Sequence, residues 1–203
     1  MRQTLRVVVA PVAAGALLLS ACGSDSSNSS AESSSSAPAD EVTGDFNDAD
    51  VLFAQGMIPH HEQAVEMAAL ALDPAAGASA EIQALATQIQ GAQDPEIELM
   101  TGWLQEWGQP MDMPGTEGMD DTAGMEGMDG MMSAEDMAGL ATLTGAEFDT
   151  AWAERMTAHH EGAITQAQTV RAAGSNADVL VLADEIITAQ QAEIDEMKAL
   201  LAG

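Results

Sequence analysis

The chain has no tyrosine, a single cysteine, and only five lysines and arginines against 33 acids in 203 residues. Each shortage excludes something. With Cys22 as the only thiol no internal disulfide can form, even outside the cytoplasm. A formal charge of −28 makes nucleic acid a poor partner and cations good ones. An acidic surface also keeps an exported protein soluble, so charge alone does not choose between these readings. No phosphate-binding glycine loop and no nucleophile elbow occurs. Beyond the N-terminus no apolar run is long enough to span a bilayer, and no stretch alternates as a strand would.

The N-terminal stretch "MRQTLRVVVAPVAAGALLLSAC" has bases at Arg2 and Arg6, an apolar run broken by Pro11, and an "LSAC" lipobox. This predicts a lipoprotein signal peptide over residues 1–21, with Cys22 the lipidated first residue of the mature chain. A transmembrane anchor fits less well, because the run is short and stops at a small-residue cleavage pattern. Cleavage would leave three bases, Arg155, Arg171 and Lys198, against all 33 acids. Residues 22–45 are serine-rich and nearly free of apolar side chains, which predicts a flexible tether. The expected location is therefore the extracytoplasmic face of the membrane, held by the N-terminal lipid only.

Histidine is scarce too, and its placement is not random. All four lie in "MIPHHEQAVEMA" (57–68) and "MTAHHEGAITQA" (156–167), two matched pairs at an offset of 99 residues. The match extends through Phe53/Trp152, Met57/Met156, His60/His159, His61/His160, Glu62/Glu161, Ala64/Ala163 and Val65/Ile164. A second repeat pairs "LATQIQGAQDPEIELM" from Leu85 with "LADEIITAQQAEIDEM" from Leu182. The folded part, 46–203, is thus two helical hairpins, 46–108 and 144–203, joined by residues 109–143.

Local signals set the helices. Asn47 with Asp50 resembles a capping box, and Asp73–Pro74 ends the first apolar stripe; Pro59 inside it should kink the helix and free the Gln55 carbonyl. The second helix should run from Ser79 to about Trp107 on Ile82, Leu85, Ile89, Gln93, Ile97, Met100 and Leu104, bent at Pro95. Thr144 with Glu147 predicts another capping box for a helix ending before Gly174. Asn176 should open the last helix, with a stripe of Leu180, Ala183, Ile187, Gln190, Ile194, Met197 and Leu201. Between the hairpins "MDMPGTEGMDDTAGMEGMDGMM" holds seven methionines and no helical stripe, followed by a short bridging helix capped by Ser133. The predicted fold is all-α, a four-helix bundle with pseudo-twofold symmetry.

Helical spacing puts His60 and His159 on core stripes, with His61 and His160 on their flanks. Met57 and Met156 precede each pair by a turn, so their thioethers can meet either ring. Gln93 and Gln190, with Glu96 and Glu193 beside them, face these pairs from the partner helices, and the rings could satisfy the buried amides. Glu62 and Glu161 follow each pair directly. A histidine on a core stripe is ordinarily a hydrogen-bonded packing residue, and duplication alone explains the symmetry. It does not explain why both rings persist in both copies. Zinc-peptidase spacing (His-Glu-x-x-His) is absent. Di-iron bundles need Glu-x-x-His, and here methionine stands at the glutamate position in both halves. A soft thioether there shifts preference toward Cu(I) and its mimic Ag(I). Met111 and Met113, and Met125, Met128 and Met131, are spaced to converge on a soft ion, where a plain spacer would gain nothing from an oxidisable side chain.

With these residues the chain resembles the bacterial domain of unknown function family 305: paired Met-x-x-His-His-Glu helices, each followed by Gln-x-x-Glu-Ile-x-x-Met, with "GMM" between. The resemblance covers about Phe46 to Leu201. It implies a ferritin-like bundle, usually exported, with copper and silver binding or tolerance in some members. Departures are "MTAHH" for the more usual "MIxHH", and Gly162 where the first half has Gln63. The expectation is an exported lipoprotein that binds Cu(I), and Cu(II) as well, to buffer or pass on copper. The rivals are a metal-dependent redox enzyme on the same sites and a structural lipoprotein whose histidines only pack. Metal ions are the expected partners, and no protein partner is indicated.

Overall fold

The computed structural model describes residues 46–113 and 128–203. The signal peptide, Cys22, the tether and Met125 lie outside the described residues. Five helices and no strand occur among those described: α1 (Asp48–Leu72), α2 (Ala80–Glu106), α3 (Ala134–Leu140), α4 (Gly145–Ala173) and α5 (Ala177–Ala202). None of them is long and apolar enough to cross a membrane. The regular structure among the described residues is all-helical, as the periodicity requires.

α1 packs on α2, α4 on α5, and α1 on α4, so α1 and α4 are the central pair. They run antiparallel and share two apolar clusters. One joins the second half of α1 and the start of α2 to the start of α4 and the end of α5, around Met67, Leu85, Phe148, Trp152, Met156 and Ile194. The other joins the remaining ends, around Phe53, Met57, Met100, Leu104, Leu182 and Ile186. Between them lies the layer that carries the histidines.

The Asn47 cap is a full capping box: its side chain accepts from Ala49 N and Asp50 N, while Asp50 Oδ2 accepts from Asn47 N at 2.8 Å. α1 continues through Pro59 and α2 through Pro95. Ser133 caps α3 and Asn176 caps α5. Thr144 does not behave as predicted. It is the N-cap residue of α4, but its side chain makes no capping bond. The adjoining Gly145 N–H instead donates to the Ala76 carbonyl at 2.8 Å, so the turn of the first hairpin supplies the acceptor.

The α5 stripe also differs from the expected one. Leu180 and Ile187 are half-buried and Leu201 is exposed, whereas Val179, Leu182 and Ile186 are in the core. Both sets fit 3–4 spacing. The repeat distinguishes them: Leu85 and Ile89 align with Leu182 and Ile186, and the burial follows the repeat.

Candidate metal centre

The rings of His60 and His159 meet across the α1–α4 seam, with centroids 3.8 Å apart and planes tilted by 44°. The His160 ring lies 6.3 Å from that of His159. His61 and His160 are expected on the flanks of the stripes. Both are fully buried, like their neighbours. The reason is that α1 and α4 each contact two helices, so two adjacent faces are covered. His60 and His159 use the seam; His61 faces α2 and His160 faces α5.

Each flank ring is held by a carboxylate. His61 Nε2 lies 2.8 Å from Glu96 Oε2, and His160 Nε2 lies 2.8 Å from Glu193 Oε2. An ionised carboxylate only accepts, so Nε2 is the N–H donor, which in a neutral ring leaves the lone pair on Nδ1. His60 Nε2 likewise faces a carbonyl, Asp129 O, at 3.3 Å. All four Nδ1 atoms, and Nε2 of His159, are buried with no hydrogen-bond partner among the described residues. The expectation that the rings would satisfy Gln93 and Gln190 fails. Both Gln93 amide atoms and Gln190 Oε1 are themselves without partners, and the glutamates three residues later take the rings. Gln88 Nε2 donates to Glu193 Oε1 at 3.2 Å, which fixes that carboxylate further.

Burial is the main force on the two seam histidines. It lowers the His60 pKa from 6.5 to about 3, helped by the neighbouring His61 and opposed by the Asp129 carbonyl. Burial first, then His60, His160 and His61, places His159 well below its ordinary value, weakly opposed by the His60 backbone carbonyl, which lies outside hydrogen-bonding geometry. Both rings are therefore neutral at pH 7, the form that donates to a metal.

Met57 and Met156 are fully buried, Met57 in one apolar cluster and Met156 in the other, so one thioether flanks the histidine layer on each side. Glu62 and Glu161 face solvent, and Glu161 pairs with Lys198 at 3.2 Å. Met111 is exposed, while Met113, Met128 and Met131 are half-buried. Among the described residues no three His, Cys, Asp or Glu side chains gather into a metal site.

Sequence reasoning missed how the crossover docks on this layer. Gln63 Nε2 donates to Met132 O at 2.9 Å, and Met132 N donates back to Gln63 Oε1 at 2.7 Å. At the matching position of α4, Gly162 lies directly against the Asp129 carbonyl, where a side chain would collide. Gly130 approaches the Ala158 and His159 carbonyls from the same side at φ 86°, which glycine tolerates. The Gln63/Gly162 departure from the repeat was the available signal. One residue grips the crossover, and the other makes room for it.

A family model for a domain of unknown function (DUF305) matches residues 50–201. The chain belongs to the DUF305 family. Solved DUF305 structures share its fold. A Streptomyces coelicolor DUF305 protein, described as secreted, is 31% identical over 76% of this chain and 91% of its own, with a TM-score of 0.67. A Deinococcus radiodurans DUF305 fragment is 29% identical over 78% of this chain and 99% of its own, with a TM-score of 0.68. CopM in its Cu(II)-bound form is 32% identical over 75% of this chain and 95% of its own, with a TM-score of 0.62. CopM has also been solved with Cu(I) and with silver. No curated protein matches the chain.

Proposed function

We propose that this DUF305 protein binds Cu(I), with Ag(I) as its mimic and Cu(II) as a second state, in the histidine layer. Its role is to hold or pass on copper outside the cytoplasm. The observation that carries the reading is the set of five buried ring nitrogens with no hydrogen-bond partner among the described residues, on four rings of which His61, His160 and His60 are braced from behind by Glu96, Glu193 and the Asp129 carbonyl. Each buried unpaired polar atom costs about 1–3 kcal/mol, so a layer kept for packing alone would be better built from leucine. A carboxylate or carbonyl on the far nitrogen is how proteins orient metal-binding imidazoles.

The choice of ion rests on chemistry. Neutral imidazoles with Met57 and Met156 on either side form a soft, low-charge donor set. The copper- and silver-bound forms of CopM support it at the level of the family. Met111, Met113, Met125, Met128 and Met131 would add thioethers from the crossover.

Protein purified under reducing conditions and challenged with a Cu(I) chelator should retain at least one Cu(I) per chain. Equal retention of Zn(II), or no retention of Cu(I), would remove the copper reading.

Export and lipidation at Cys22 would set this binding at the outer membrane face. A Cys22→Ala chain should remain uncleaved at its lipoprotein site or be shed into the medium, because the lipid is the expected anchor. A variant still processed and membrane-held would remove the anchor.

A further inference from the structure

The histidine layer has a cover that belongs to none of the four long helices. Residues 128–132, at the end of the crossover, touch α1 and α4 at once, across the seam where His60 and His159 meet. This strap is a turn, closed by Met131 N donating to the Met128 carbonyl at 3.1 Å, with Asp129 exposed. Its contacts fall within about one helical turn of the histidines on both helices. Asp129 O faces His60 Nε2 at 3.3 Å, and a Cβ on Gly162 would overlap the same carbonyl. Met128 lies over Gly56, where a methyl group would come within 3.2 Å of its Cε.

The other walls of the layer cannot part so easily. α1, α2, α4 and α5 are continuous helices whose buried faces fill two apolar clusters, and separating them would expose those clusters to water. The strap has no helix to break, and its methionines are only half-buried. Its polar hold is the Gln63 amide, which takes both backbone groups of Met132, at 2.9 and 2.7 Å. Its seat is Gly162, with Gly130 packed above it. Gln63 and Gly162 are the same position in the two halves of the repeat, so the helices themselves demand neither residue. Glycine inside a helix even weakens it. Both residues serve the strap.

We infer that residues 128–132 are a gate over the histidine layer, latched by Gln63 and seated on Gly162, through which the layer's cargo enters and leaves. Seated, the strap closes the seam to solvent and sets the Asp129 carbonyl against His60 Nε2. Lifted, it bares the His60 ring. The identity of the cargo rests on the copper reading above. The gate itself does not, because it concerns only what covers the rings.

The test therefore uses apoprotein and a reagent that is not a metal. Diethyl pyrocarbonate acylates neutral imidazole, and all four histidines of the chain lie in the layer. Labelling of untagged protein, located by mass spectrometry, thus reads access to the layer directly. Gln63→Ala, which removes two hydrogen bonds, should raise the labelling rate about tenfold over the wild type. Gly162→Ala should raise it further, since its methyl group evicts the strap while favouring the α4 helix. In both, His60 should be labelled ahead of His61 and His160, whose Nε2 atoms remain on Glu96 and Glu193. Gly91→Ala, with open space around it on α2, should match the wild type. Should Gly162→Ala lose helical circular dichroism, Gln63→Ala alone decides. Wild-type labelling rates in folded strap variants overturn the gate. Equal labelling of all four rings overturns it too, because the bundle would then be opening as a whole. A failure of Cu(I) binding would leave these rates unchanged, so the two readings fail separately.

Discussion

Replacing His60 and His159 together by alanine is expected to weaken the tightest Cu(I) site by about 100-fold, and replacing either alone to remove more than half of the tight binding. Loss of one well-placed donor costs about tenfold or more in metal affinity. Two independent hairpin sites would each survive loss of the other. The geometry favours a shared site: the two rings lie 3.8 Å apart across the pseudo-twofold seam, and neither half alone offers His60 and His159 nitrogens. Chelator competition on each single variant and on the double, in a background with Met113 and Met128 changed to leucine, measures it. Retention of one full-affinity site in each single variant would make the halves separate binders.

The same variants carry a pH signature. An unfolded chain protonates its histidines near 6.5, but folded His60 resists until about 3. Between these values the unfolded state binds more protons, so apoprotein stability falls as pH drops through this window. His159 acts in the same direction. Alanine at both positions should flatten that part of the stability profile while leaving the neutral-pH fold intact.

Much of this architecture was legible because a helix writes its buried face into residue spacing. The two pairs of long helices, the Asn47 capping box and the caps at Ser79, Ser133 and Asn176 follow from local chemistry. The α5 stripe was misread because Leu180–Ala183–Ile187 and Val179–Leu182–Ile186 are equally periodic. Only the alignment with α2 separates them, and it required a comparison across the repeat. The burial of His61 and His160 was not legible from one helix, because it depends on which second helix covers the flank. Thr144 shows the same limit: its side chain makes no capping bond, and the N–H of the next residue, Gly145, goes to the carbonyl of Ala76, 69 residues before Gly145 in the chain. The most informative positions were those where the repeat breaks. Gly56 against Arg155 and Gln63 against Gly162 mark where the crossover, which has no symmetric counterpart, rests on an otherwise symmetric bundle.

The repeat also carries a device that holds the hairpins together, and its removal should be the costliest single change for stability. Asp50 is fully buried in the first turn of α1, yet its carboxylate reaches into the α4–α5 turn. Besides Asn47 N, it accepts from Ser175 N at 3.0 Å, Ser175 Oγ at 3.1 Å and Asn176 N at 3.1 Å. Gly174 is glycine here for space and not for a left-handed turn: its φ is −72°, and a methyl group would lie 2.5 Å from Asp50 Oδ1. The counterpart in the second hairpin, Asp149, is only half-buried and accepts from Ser79 N alone, at 3.1 and 3.2 Å. Hydrogen bonds to a charged group are worth about 1.5–3 kcal/mol each, and donors left buried without an acceptor add to the loss. Asp50→Ala is therefore expected to cost about 3–5 kcal/mol and to lower Tm by roughly 10 °C, and Asp149→Ala about 1 kcal/mol. Asp50→Asn, which keeps the shape and one acceptor, should fall between. Urea unfolding of the three apoproteins ranks them. Equal losses at Asp50 and Asp149 would mean that the hairpins are held by the α1–α4 seam alone, with the Asp50 network contributing no more than an ordinary helix cap.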